Sequence, residues 1–187
     1  MLKILFVSHC LLNTAAKVKS FEIEALEKEE QLRLRVVRAA LDQGVQLVQL
    51  PCPEFLQYGS LRWGHCADQF DNPFFRRQCR LMLEPILLQL EEYLSDELDF
   101  QVLGVLGIDG SPSCGVKYTC RAVWSGEPDG STRKKVFSGS RLEEGRGVLM
   151  AVLEEMLAER GISLRIDGLF ADEPERAMAM LDGNMEC

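Results

Sequence analysis

Four short apolar runs, Leu2–Val7, Val45–Leu50, Phe100–Ile108 and Ile162–Ile166, alternate along the chain with longer segments of helical periodicity. From Glu22 to Gln43, Leu32, Val36 and Ala40 recur every four residues, and Gly44 supplies a stop. Asn72-Pro73 is an N-cap and first-position pair. The helix it opens carries Phe75, Cys79, Met82, Ile86, Leu90 and Tyr93 at spacings of 4, 3, 4, 4 and 3. Gly147–Arg160 repeats the pattern with Leu149, Val152, Leu153 and Met156 on one face and Gly161 beyond it, and Asp172–Leu181 predicts a last short helix. Strands alternating with helices of this length predict a parallel sheet covered by helices on both faces, because parallel strands need long crossovers. Phe100–Ile108 is apolar enough to be buried on both sides.

The 187 residues suffice for one domain, so the expectation is a single α/β, Rossmann-like domain over 1–187. Pro51 and Pro53 end the second strand, Glu54–Asp71 reads as a polar and aromatic loop, Lys117–Trp124 as a further strand, and Ser125–Lys135 as a surface loop. Twenty-nine acidic against 21 basic residues leave a charge of −8, which argues against a nucleic-acid partner. Arg76-Arg77 and Arg133-Lys134-Lys135 are too short to be more than solvated surface. No apolar run approaches the roughly 20 residues that cross a bilayer. The first run is followed at once by His9 and Asn13, without a cleavage site, so a cytoplasmic protein with no membrane partner is expected.

Ligands of parallel α/β sheets bind beyond the carboxyl ends of the strands. Cys10, Cys52 and Cys114 each follow a predicted strand by a few residues, so such a sheet brings them to one edge although 42 and 62 residues separate them in turn. Three thiolates together repel one another unless a cation holds them, which points to a metal or a cluster. Local Cys-x-x-Cys spacing is absent, which argues against a structural zinc knuckle. A 4Fe–4S cluster on three cysteines keeps one iron open to substrate, as Lewis-acid chemistry requires. Gly110, Pro112 and Gly115 form the tight turn that lets backbone approach a bulky inorganic group. From the pattern alone the three can also be read as small buried hydrophobes. Among the other cysteines, Cys79 lies on a buried helical stripe, Cys66 adjoins His65 in a loop too tight for joint chelation, and Cys120 and Cys187 carry no evident chemistry. An odd count of seven in an unexported chain does not suggest a disulfide framework. Gly145-Arg146-Gly147, at a helix start, is a weak candidate anion cradle.

Three stretches in order, "SHCLLN" (Ser8–Asn13), "PCPE" (Pro51–Glu54) and "GSPSCG" (Gly110–Gly115), resemble the 2-thiouracil desulfurase family, and Gly145–Leu164 resembles that family's C-terminal helix and strand. The resemblance implies a 4Fe–4S cluster on Cys10, Cys52 and Cys114, with one iron not ligated by protein. That iron would bind the sulfur of a small thiocarbonyl substrate such as a thiolated nucleobase, which is desulfurated without redox change, water supplying the oxygen. It further implies catalytic roles for Glu54 and Ser111, with Ser113 as a neighbour. The chain departs from the family in "HCLLN" and in the long aromatic loop after Glu54. There Tyr58, Arg62 and Trp63 are candidates to stack on or hydrogen-bond to a planar heterocycle, or else to pack the loop onto the sheet edge. Two other functions remain open. One is a cluster- or zinc-binding sulfur carrier or sensor without turnover. The other is a cysteine-nucleophile hydrolase with His9 or His65 as base.

Overall fold

Side chains alternate across a strand, and the first run uses both sides: Ile4 and Phe6 enter one buried cluster, Leu5 and Val7 the other. In the computed structural model, which describes residues 1–20, 22–122 and 139–182, this run is β1 (Leu2–Val7). Four strands form a parallel sheet in the order β2 (Gln46–Gln49), β1, β3 (Phe100–Ile108) and β6 (Ile166–Leu169). Helices α5 (Pro73–Ser95) and α6 (Val148–Glu159) cover one face. Helices α2 (Ile23–Asp42) and α7 (Pro174–Ala179) cover the other. The expected α/β architecture is therefore present. The chain leaves β1 toward β2 and later returns on β1's other side as β3, so a topological switch point lies between the carboxyl ends of β1 and β3.

The α5 stripe forms as its spacing predicts, with Asn72 accepting from the Phe74 and Phe75 amides at 3.1 Å. Its fully buried line runs through Phe75, Cys79, Leu83, Leu87 and Leu90, with Met82, Ile86 and Tyr93 flanking it half-buried. Two expectations need correction. The last strand is 166–169, not Ile162–Ile166, because β6 pairs only with the carboxyl half of β3, from Val105–Ile166 to Ile108–Leu169. Ile162 and Leu164 instead pack against the α5–α6 cluster. The Glu54–Asp71 stretch is not simply a loop: it holds α3 (Pro53–Tyr58) and α4 (Ala67–Phe70). Within Lys117–Trp124, whose last two residues lie outside the described residues, the strand β4 (Tyr118–Arg121) forms and pairs antiparallel with β5 (Arg141–Glu144). Ser125–Lys135 lies outside the described residues. Among the described residues no helix is long and apolar enough to cross a membrane.

Candidate functional site

Each cysteine of the predicted trio is placed by a different local device. Cys10 lies in the first turn of the short helix α1 (His9–Leu12), which starts one residue after β1. Cys52 is the N-cap of α3, held between two prolines, and its sulfur accepts the Phe55 N–H at 3.4 Å. Cys114 lies in the turn after β3, where the Ser111 hydroxyl oxygen accepts the Ser113 and Cys114 amides at 3.3 and 3.0 Å. The turn is held from both sides. Asp109, its side chain fully buried, accepts the amides of Val116, Lys117 and Tyr118 at 2.7, 2.8 and 3.2 Å and pairs with Arg176 at 2.9 Å. The amides at the start of α6, which have no partner inside their helix, donate to the Pro112 and Ser113 carbonyls: Val148 at 3.0 Å and Leu149 at 2.9 Å. Gly147 permits this approach, since a Cβ there would meet the Ser113 carbonyl carbon at 2.5 Å. The segment Gly145–Gly147 is thus no anion cradle. The nearby helix amides are taken, and Arg146 donates to the Val116 carbonyl at 2.6 Å.

The three thiols line one cavity of about 380 Å³, with Ser8, Glu54 and Ser113. The neighbouring Cys10 and Cys52 thiols act on each other, which pushes Cys10 well up and lowers Cys52 to about 7. Burial pushes Cys114 up to about 12. Glu54 is 6% exposed and held at both oxygens. Ser113 donates to Oε1 at 2.5 Å, and the buried Arg62 guanidinium lies 3.3 Å from Oε2. Arg62 also donates to the carbonyls of Gly59 and Ala16, at 3.1 and 2.7 Å, which ties the segment after α3 to the chain after α1. Lys17, paired with Glu29, is a second cation on the wall, its pKa lowered by burial. Among the described residues, no three His, Cys, Asp or Glu side chains are grouped to close on a single metal ion.

Cys10, Cys52, Cys114, Glu54, Ser111 and Ser113 therefore meet in one place, as does Arg62, although its guanidinium is committed to Glu54. Tyr58 and Trp63 do not join them. Tyr58 stacks on His65 and Phe70 at 5.3 and 5.9 Å between centroids, and Trp63 is 73% exposed away from the cavity. Their rings pack or cover the loop and do not line the pocket. His9 is on the wall, and His65 sits in the aromatic stack instead. Cys66 and Cys120 are joined as a disulfide between α4 and β4, against the expectation of no cross-link and no chemistry for Cys120. That pairing depends on the β4–β5 arm lying beside α4, which no local spacing encodes. Sequence reasoning also passed over Asp109 and Ser8. The signal for Asp109 was a carboxylate set between Ile108 and Gly110 at the end of a buried strand, a place where an unpaired charge is costly.

The chain is 32% identical over 114 residues to the uncharacterized protein MJ0003 of Methanocaldococcus jannaschii, a match covering 61% of this chain and 68% of that protein. No family model and no solved structure matches the chain. By that identity and coverage, the chain belongs to the family of this archaeal protein, whose name states no activity.

Proposed function

We propose that this chain is a single-domain, Rossmann-like cytoplasmic desulfidase. It would depend on a 4Fe–4S cluster and remove sulfur as hydrosulfide from a small thiocarbonyl compound such as a thiolated nucleobase. The observation that carries the reading is the meeting of three thiols with the Glu54–Ser113 pair in one cavity at the switch point. The donor set fits the cluster: Cys10, Cys52 and Cys114 are soft ligands, and three of them leave one iron free. When bound, the cluster would supply a Lewis-acidic iron that polarises the substrate's carbon–sulfur bond. The net exchange, C=S plus H₂O giving C=O plus H₂S, balances without electron transfer.

In this reading the protein's own groups handle water and protons. Glu54 takes a proton from the attacking water, its Oε2 held by Arg62 and its Oε1 by the Ser113 hydroxyl. Ser113 can accept that proton while giving its own hydrogen toward the departing hydrosulfide, since a hydroxyl both donates and accepts. Ser111 supports the reaction indirectly, by shaping the turn that presents Cys114. Burial of Glu54 and Arg62 keeps the pair from being screened by solvent.

One observation favours a second reading. Cys52, at a helix start and with its pKa lowered to about 7, has the character of a nucleophile. A cysteine hydrolase would remain active after chelation and lose activity in Cys52→Ser.

The deciding experiment is anaerobic reconstitution with ferrous iron and sulfide, followed by assay of hydrosulfide release from thiouracils. Wild type is expected to bind iron and sulfide and to turn over. Cys114→Ala should lose both properties. Glu54→Gln should keep its iron and sulfide but lose about 10²- to 10⁴-fold in turnover, the range for a general base. Wild-type protein that binds neither iron nor sulfide would refute the proposal.

A further inference from the structure

Ser8 has an unmet demand. It occupies the N-cap position of α1, where a serine side chain ordinarily accepts an amide of the first helical turn, yet this one makes no such bond. Its backbone is fully engaged: the N–H donates to the Leu106 carbonyl and the C=O accepts the Leu11 amide, each at 2.9 Å. The residue is 1% exposed and lies on the wall of the thiol cavity, and its Oγ has no hydrogen-bond partner among the described residues. The Cys114 sulfur lines the same cavity but makes no hydrogen bond with this hydroxyl. Of the nearby hydroxyls, Ser113 donates to Glu54 and lies 3.6 Å from the Cys114 sulfur, and Ser111 accepts two amides and meets the Ser113 hydroxyl at 3.4 Å, whereas Ser8 has no such contact. An orphaned buried hydroxyl is destabilising, so its retention at this position needs a reason.

We infer that the Ser8 hydroxyl is the donor to the anionic sulfur of the group held by Cys10, Cys52 and Cys114, and that it retains and positions that group. The inference rests on the iron–sulfur reading above. Ionised sulfur accepts a hydrogen bond far better than a thiol does. Such a donor stabilises the added negative charge of a reduced cluster and raises its potential. Ser8 is on this account a positioning residue, one step removed from the reacting atoms.

Ser8→Ala removes only the hydroxyl, and its effects should have opposite signs in the two forms of the protein. Metal-free Ser8→Ala should unfold at or above the wild-type temperature, because an unsatisfied group is lost and no bond is broken. After anaerobic loading with ferrous iron and sulfide, it should release iron to a chelator about 10-fold faster than wild type, as removal of an outer-shell partner does. Its reduction potential should also be more negative. A metal-free variant that melts several degrees lower, or fails to fold, makes Ser8 a structural group and overturns the inference. A loaded variant that keeps its iron as long as wild type also overturns it. Wild type that takes up no iron and sulfide removes the iron–sulfur reading and this inference together, so the two failures are told apart.

Discussion

Ser111 and Ser113 stand two positions apart in one turn and do different work. Ser111 turns its oxygen back onto the Ser113 and Cys114 amides, as a helix cap does, whereas Ser113 reaches across 59 residues of sequence to Glu54. Removing each should separate the two roles. Ser111→Ala is expected to lower unfolding free energy by about 1 kcal/mol, the usual value of a lost cap. Ser113→Ala should fall mainly on turnover, by about 10-fold or more, the rate equivalent of a hydrogen bond to a charged group. Thermal unfolding and hydrosulfide release measured on both variants would check this, and the reverse pattern would exchange the assignments.

At the scale of elements, the site is built where one helix start meets one turn. The free amides of α6 and the carbonyls of the Pro112–Ser113 segment satisfy each other, so placing the helix also places Cys114. Contact is close enough that only glycine fits at position 147, where any Cβ would press on rigid backbone at 2.5 to 2.8 Å. Gly147→Ala is therefore expected to cost about 1–3 kcal/mol in urea unfolding, the range for overpacking, and to weaken iron uptake by displacing Cys114. A variant as stable as wild type would show that the helix can withdraw without penalty. Elsewhere, the Cys66–Cys120 disulfide and the Asp68–Arg121 pair fasten α4 to β4.

For the molecule as a whole, the buried thiols set a pH dependence. Burial raises Cys114 and Cys79 from 9.0 to about 12, so both stay neutral in the folded chain after the unfolded chain has ionised. Their contribution is complete below about pH 9 and is lost as pH climbs toward 12. Cys52 acts in the other direction. Its pKa is lowered from 9.0 to about 7, so its contribution is present above 9.0 and disappears as pH falls through 7. Urea midpoints of the metal-free protein should thus decline from pH 9 upward, and Cys114→Ser, which has no group to ionise in this range, should decline less. An unchanged slope in that variant would show that Cys114 is not the buried acid described.

Much of this architecture was legible before any fold was known. β1, β3 and α5 follow from periodicity, which is a property of neighbouring residues. The placement of Cys10, Cys52 and Cys114 just past strand ends made their convergence a direct consequence of a parallel sheet. Tertiary structure alone decided the rest. It moved the last strand to 166–169 through its register with β3, and it raised α3 and α4 out of an apparent loop. It also joined Cys66 to Cys120, gave Glu54 its partners Arg62 and Ser113, and left the Ser8 hydroxyl facing the cavity unpaired. Local sequence sets which way each segment's apolar side points. The partner of a buried polar group is set by which distant segment packing brings within about 3 Å of it.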